Sequence, residues 1–581
     1  MDPAGEIVSR CAARVLTAIV AILCAAAPAA GYAQPRPPRE YRAVWLTTLR
    51  NHDWPDPSSE GDPIAQRRAL GRILDTLKAL HFNTVFLQVR SQGNAFYRSD
   101  VEPWAAELTG RLGGDPGWDP LAWAVEQAHE RGLEVHAWVN VFKAWNGESP
   151  PPATVPAHPV RAHPHWVKRY MGQYWFDPGI PAVRDYHARL LVDLASRYDI
   201  DAIHLDYVRY PGPDFDDTDT WRKYGHGAER AVWRRKNIDS FVGELASRLR
   251  AVKPTLRIGA APIGIYRNIP RARGQQGYVE LAQDARAWLK NGWVDYLAPQ
   301  IYWGLTEHGS RIDFRALVTD WVEESAGKHI VIGIAAYKEE VRPQIGQMID
   351  VCRGLNAHGE AYFRYRFIED GLAFTGRYEA QAIPPASMWL DPVPPNPPSG
   401  FETRPDEEGV ILSWRPPERA LDGETVRRFV VYRRLRGQDG RFGLPVVAAV
   451  LPGHALSWRD NTPVGAALYE ITALDRCNNE SAPAVVAPAG QPPAISVFTP
   501  TLSDPVMYDE ELALVGYAIP ARMNVRIRLL EESGAECAVL VDGEQEAGTY
   551  IVGIRRKEIP CPTARVMLEA GDRRTIRPMP R

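Results

Sequence analysis

Between Glu40 and Ala386, short β-branched and aromatic runs alternate eight times with amphipathic stretches, and few folds accommodate that rhythm. The strand candidates are 42–48, 83–90, 134–142, 202–210, 257–264, 294–303, 329–337 and 360–368. Helical periodicity occupies 66–80, 121–131, 183–197, 232–252, 279–289 and 314–324 between them. Eight such units in one continuous stretch predict an α/β fold, a (β/α)8 TIM barrel with loop insertions over 40–390. A doubly wound open sheet is the rival, but it does not normally need eight units. No Gly-rich phosphate fingerprint follows the first strand either.

The barrel segment ends at a stiff Pro-rich linker, 391–398. Beyond it, Gly409-Val-Ile-Leu-Ser-Trp-Arg415, Arg428-Phe-Val-Val-Tyr-Arg433 and Ala467-Leu-Tyr-Glu-Ile-Thr-Ala473 are short strands separated by turn signals. That order of Trp, Val-Val-Tyr and Tyr-Glu-Ile-Thr-Ala looks like a fibronectin type III sandwich over 399–488. A further all-β module is expected over 493–581, with strands at 524–530 and 536–541. One or two β-sandwich modules therefore follow the barrel.

Arg10 and Arg14 precede the apolar run 15–27, and Gly31-Tyr-Ala33 supplies small residues for cleavage, so 1–33 reads as a signal peptide. The run-up to Cys24 is a poor lipoprotein signal. Export to the periplasm or beyond is expected, with no stable membrane insertion once the signal is removed. Of the mature cysteines, Cys537 and Cys561 are near enough in sequence to bridge, or all four are buried thiols. With 45% hydrophobic and 24% charged residues, the chain is neither mostly disordered nor a multi-span membrane protein. A net charge of -3 gives no footprint for nucleic acid.

In a (β/α)8 barrel the chemistry sits at the C-terminal strand ends, and side-chain parity selects what faces the axis. Gln88 and Arg90 share a face on the second strand, His136, Trp138 and Asn140 on the third, His204 and Asp206 on the fourth, Gln300 and Tyr302 on the sixth. A carboxylate, amides, an Arg and aromatic faces suit a hydroxyl-rich substrate better than a core. Asp206 is the acid on its strand end, fit to stabilise or attack an anomeric carbon. Its structural alternative is bracing the barrel through Arg209. Asp177, before Pro-Gly, is the candidate second acid, or an ordinary turn or helix cap. Glu339, Glu340, Glu102 and Glu107 are outsiders. His136 is either a site group or a satisfied core histidine. His158, His163 and His165 have no carboxylate nearby, so no metal and no cofactor is expected.

These residues resemble the glycosyl hydrolase-like 10 family of bacterial exported proteins. The similar segments include Arg42-Ala-Val-Trp-Leu-Thr-Thr48, Asn83-Thr-Val-Phe-Leu-Gln-Val-Arg90, Val135-His-Ala-Trp-Val-Asn140, Ala261-Pro-Ile-Gly-Ile-Tyr-Arg-Asn268, Val294-Asp-Tyr-Leu-Ala-Pro-Gln-Ile-Tyr-Trp303 and Ile332-Gly-Ile-Ala-Ala-Tyr-Lys338. The resemblance implies a TIM-barrel glycoside hydrolase of the cell envelope, and for part of the family cleavage of peptidoglycan strands stripped of stem peptides. Some relatives carry two adjacent acids where this chain has Asp206-Tyr207. The expected glycan contacts are Gln88, Arg90, Asn140, Gln300 and Tyr302 by hydrogen bonds, Trp45, Trp138 and Trp303 by stacking, Arg209 through charge, and Asn268 and Tyr337 from the matched segments. The alternatives are a non-catalytic glycan binder on a degenerate barrel and a scaffold whose β modules carry the function. If the barrel is the enzyme, it is expected to keep turnover when isolated.

Overall fold

The protein is described here by a computed structural model covering residues 39–305 and 312–486, apart from 421, 438–441 and 464. In the last module it covers the strands from 501 to 579, with short gaps. The expected signal peptide and Cys561 lie outside the described residues.

The barrel strands are β1 (Tyr41–Leu46), β2 (Thr84–Arg90) and β3 (Glu134–Asn140). An excursion of β4 (Lys143–Trp145), β5 (Val167–Tyr170) and β6 (Gln173–Phe176) follows, before β7 (Ala202–Asp206) and β8 (Arg257–Ala260). The last are β9 (Tyr296–Leu297), β10 (His329–Ile330), β11 (Ile332–Ile334) and β12 (Gly359–Phe363). Nine of these form one parallel sheet in the order β10-β9-β8-β7-β3-β2-β1-β12-β11. Since Val331 alone separates β10 from β11, the two ends of that path are halves of one stave, and the sheet nearly closes on itself. All eight expected strands are present, each stopping two to six residues short of its expected C-terminal end except the second, because the chain there turns into the loops of the mouth.

Helices start where sequence chemistry puts them. Asp62, Asp119 and Asp313 accept backbone N–H bonds at the first turns of Pro63–Ala79, Pro120–Glu130 and Phe314–Glu323. The helix Ile345–Gly354, before β12, was not expected. The stretch 279–289 splits into Gly277–Glu280 and Ala285–Lys290.

The barrel has two cores. Leu, Ile and Val side chains of the staves pack outward against the helices. Inside, Tyr41, Trp45, Phe86, Trp138, Tyr296 and small alanines fill the axis. A hydrogen-bonded chain runs through this inner core. The Trp45 indole donates to His204 Nε2 (3.1 Å), so the neutral His204 carries its proton on Nδ1, 2.9 Å from the Tyr296 hydroxyl. Tyr296 in turn donates to His136 Nδ1 (2.7 Å), and His136 Nε2 donates to Glu134 (3.2 Å). Burial pushes both imidazoles down and keeps them neutral. His136 is thus a satisfied core residue.

Beyond the linker, β13 (Ser399–Asp406), β14 (Gly409–Arg415) and β17 (Ser457–Asp460) form one antiparallel sheet. β15 (Arg428–Leu435), β16 (Val446–Pro452), β18 (Ala467–Leu474) and β19 (Ala484–Val486) form a second, ordered β16-β15-β18-β19. Leu412 and Trp414 of the first sheet meet Phe429, Val431 and Ile471 of the second in a shared core. This sandwich packs on the barrel floor, where Arg428 and Asn478 bond Glu134. The last module has two further sheets, built on Leu512–Ile519 and Met523–Leu530, with Tyr517, Ile519, Ile527 and Leu568 between them. Cys537 is disulfide-bonded, while Cys352 and Cys477 are free and buried.

Candidate active site

Asp206 is the last residue of β7, and its register partner on β3 is Asn140. The chain turns immediately after it. Tyr207 takes φ +54°, a left-handed conformation that a bulky L-residue adopts only when its surroundings impose it. That turn brings the Tyr207 N–H onto Asp206 Oδ1 at 2.7 Å. Gln300 donates to the same oxygen and to the Ala261 carbonyl, each at 3.3 Å. The Trp138 indole N–H meets no partner in strict hydrogen-bond geometry, yet it lies near enough to Asp206 to favour its ionised form. Burial pushes the Asp206 carboxyl up to about 6, against the pull of Arg209, the Tyr207 amide, Trp138 and Gln300. Beside it, Asn140 Nδ2 is anchored on the Ser91 carbonyl, leaving Asn140 Oδ1 buried and unpaired. An unpaired buried acceptor next to a desolvated carboxylate is costly for folding and useful for a ligand that brings donors.

Aromatic rings wall this cluster. The Phe363 ring, at the end of β12, lies 6.3 Å from Trp138, 5.8 Å from Tyr302, 5.9 Å from Tyr337 and 6.0 Å from Trp45. Tyr337 is exposed, and Tyr302 and Trp303 are half-buried, so this wall opens to solvent. On the other side, Trp175 and Tyr207 are 5.6 Å apart. Lys143 sits 4.6 Å from the Trp175 ring, and Arg209 5.0 Å from the Tyr207 ring.

The expected site residues therefore divide. Asp206, Trp138, Asn140, Gln300, Tyr302, Tyr337 and Arg209 converge at the mouth, with half-buried Trp303 beside Tyr302 in sequence. Several others do not. Arg90 is fully buried, with two 2.7 Å bonds to Glu102, others to the carbonyls of Asn140 and Val141, and its fifth N–H directed at His187 Nε2 (3.5 Å), so no donor is left for a sugar. Gln88 spends its carbonyl on the Thr48 and Leu49 amides and fixes the turn after β1. Trp45 is buried beneath the site as its floor. Asn268 is exposed and braces its own loop through the Gly274 amide at 2.9 Å.

Asp177 is the main correction. It is fully buried, bonded by the Thr220 hydroxyl at 2.5 Å and the Gly179 amide at 2.8 Å, and clasps the loop after β6 to the helix Thr218–Tyr224. Burial pushes it up to about 6 as well, but it takes no part in the Asp206 cluster. Glu102 is consumed by Arg90, Glu107 caps the Arg50 amide, and Glu339 and Glu340 are exposed. Among the described residues, no carboxylate bonds Asp206 or ranks among the largest charges acting on it.

Sequence reasoning missed Tyr207, Phe363, Trp175 and Lys143. Parity on the eighth strand gives Phe363 directly, since Ala361 and Phe363 share the inward face. Lys143, a charge inside the apolar run Val141-Phe-Lys-Ala-Trp145, carried its own signal. Among the described residues, one group offers clustered metal-ligand atoms, Asp391, Asp422 and Glu424, and it lies at the linker rather than the mouth.

The glycosyl hydrolase-like 10 family matches residues 40–347. The chain is 31% identical over 478 residues to the glycosyl hydrolase YngK of Bacillus subtilis, covering 76% of this chain and 92% of that one. It is 34% identical over 323 residues to the glycosyl hydrolase DigH of Escherichia coli K12, covering 51% of this chain and 73% of that one. Among solved structures, the PgaB (BpsB) glycoside hydrolase domain of Bordetella bronchiseptica aligns at a TM-score of 0.41 and 15% identity, over 58% of this chain and 98% of that one. The chain belongs to the glycosyl hydrolase-like 10 family and is a glycoside hydrolase.

Proposed function

We propose that this exported enzyme cleaves O-glycosidic bonds of a bacterial envelope glycan, with peptidoglycan strands freed of their stem peptides as the substrate, and that Asp206 is its nucleophile or catalytic base. The observation that carries the reading is the setting of Asp206. A single carboxylate sits at a strand end of the barrel mouth, desolvated and steered by Tyr207, Gln300 and Trp138. The unpaired oxygen of Asn140 and the open wall of Tyr302, Tyr337 and Phe363 lie beside it. An oxocarbenium-like transition state needs such a carboxylate against the anomeric carbon, and sugar hydroxyls supply the donors that Asn140 lacks. The test is Asp206→Asn assayed on peptide-free glycan strands. Turnover is expected to disappear, and full retention removes Asp206 from the chemistry.

The runner-up, a glycan-binding protein without turnover, draws on the fact that, among the described residues, the hydrogen bonds to Asp206 come from Tyr207 and Gln300 and none from a second acid. Tight binding with no product after prolonged incubation would establish it. The module after the linker fits a fibronectin type III-like unit, because its strands divide three and four between sheets in the order such modules use. We assign it and the terminal module to positioning the barrel on the envelope.

A further inference from the structure

We infer that the mouth carries a carboxylate-binding subsite, formed by Lys143 and Arg209 over the ring of Tyr207, which selects glycans whose pyranose bears a free carboxylate. The inference rests on the glycosidase reading and deepens it.

The two cations converge on one ring: Lys143 Nζ is 5.8 Å and the Arg209 guanidinium 5.0 Å from the centre of Tyr207. Lys143 also lies over Trp175. The convergence follows from the backbone. Val141 donates to the Asp206 carbonyl and Phe142 to that of Tyr207, so the chain that leads into β4 runs beside the turn after β7. Lys143 is buried, with 6% of its surface exposed, and Arg209 is half-buried. Among the described residues, no carboxylate lies within ion-pair distance of either. This is unusual for a buried cation, which is normally paired with an acid. Elsewhere in this chain buried arginines obey that rule: Arg90 has Glu102, Arg234 has Asp217 and Arg257 has Glu134.

Lys143 instead touches the amide oxygen of Gln173, a neutral oxygen standing where an anionic one would bind better. Burial and the neighbouring Arg209 push its ammonium down to about 8, so it remains mainly protonated at neutral pH while still lacking a counter-charge. Arg209 is also the foremost charge acting on Asp206, which ties the subsite to the sugar at the cleavage point. A planar guanidinium and an ammonium above an aromatic face match a carboxylate well, and a guanidinium alone gives it two parallel bonds. An amide offers the pair one neutral oxygen, as Gln173 does for Lys143, but neither the charge nor the second oxygen of a carboxylate.

Such a carboxylate has two sources in envelope glycans: a lactyl ether exposed when a stem peptide is removed, or a uronate. The wild-type protein is to be assayed on peptide-free strands, on the same strands with the lactyl carboxylates converted to methylamides, and on galacturonate oligomers. Lys143→Met, Arg209→Gln and the double variant are assayed in parallel, and Asp206→Asn is used to measure binding of each ligand. The expected result is at least a tenfold preference of the wild type for free-carboxylate strands over methylamides, collapsing toward unity in the double variant. Preference for the strands assigns the lactyl source, and preference for the galacturonates assigns the uronate. Equal cleavage of free and methylamidated strands overturns the subsite while leaving the glycosidase reading standing. Selective binding of carboxylated ligands without cleavage sustains the subsite and overturns the glycosidase. Variants that lose turnover equally on both forms of the strands also overturn it, since a merely structural role predicts that pattern.

Discussion

Asp206 is held where its charge is expensive, and that cost can be measured. Its carboxyl stands at about 6 in the fold against 3.8 when unperturbed. A carboxyl raised in this way binds its proton more tightly folded than unfolded. Its unfavourable contribution is therefore absent below about pH 4, grows as pH rises toward 6 and is complete above that. The difference corresponds to roughly 3 kcal/mol at pH 8. Asp206→Asn, which keeps the shape without the charge, should raise the melting temperature at pH 8 and lose that advantage at pH 4, as calorimetry across the range would show. The same group sets a kinetic limb. If Asp206 acts ionised, kcat/KM should fall as pH drops through about 6, with the slope of one proton. A limb on the alkaline side at that value would instead make it the general acid. Parity along a strand exposed this residue in the sequence, together with Asn140, Trp138 and Gln300. Parity did not reveal that Tyr207 would adopt a positive φ, because that conformation is imposed by packing rather than by any preference of tyrosine.

Elements show why some inward-facing polar residues are not site residues. Strict alternation puts Gln88 and Arg90 of β2 on one face, but a bulge between them pairs Gln88 with Trp138 of the inner core and Arg90 with Val139 of the outer core, so Arg90 turns away from the mouth. A strand end must also satisfy the loops that leave it, and these two do that work. Gln88 secures the turn after β1, and Arg90 ties the loop containing Glu102 to the carbonyls that end β3. Which of these demands a side chain meets depends on loop conformation, and that is not written in periodicity. The distinction has a thermal signature. Arg90→Ala strands Glu102 as an uncompensated buried charge and is expected to cost about 3–5 kcal/mol. Denaturant unfolding should show that loss, whereas a substrate-binding arginine would leave stability nearly unchanged and raise KM. The eight staves themselves were readable because each is a short run of β-branched and aromatic residues between amphipathic stretches. The helix Ile345–Gly354 was missed because it is short and no cap announces it, whereas Pro181–Arg197, equally without a side-chain cap, is long enough for its periodicity to show.

At the scale of the whole molecule, the sandwich closes the floor of the barrel, and that contact bears on the expectation that the isolated barrel keeps turnover. Glu134 lies fully buried at the floor of the barrel, at the end of the hydrogen-bonded chain that begins at Trp45 under the active site. Its charge is met by Arg257 from the barrel (2.8 Å) and by Arg428 (2.7 Å) and Asn478 (2.9 Å) from the sandwich. Around it Arg427 and Arg476 pair with Asp199, and Arg39 reaches Glu480. Ile383, after the last stave but within the barrel segment, packs with Val430, Val447 and Val450 of the sandwich. A chain ending at Leu390 would open Glu134 to water on one side, remove two of its donors and expose that apolar cluster. It should melt well below the full-length protein, whereas a chain ending at Val486 keeps the floor and should melt near it. Because a truncated chain fails for many reasons, Arg428→Ala in the full-length protein isolates the contact. Losing one charged hydrogen bond to a buried carboxylate is worth about 1.5–3 kcal/mol. If that variant and the Leu390 truncation both melt like the parent, the floor is sealed by the barrel alone and the sandwich is only an appendage. If both fall, every glycosidase assay of this chain has to keep residues 391–486, since the stave that carries Asp206 stands on the floor they close.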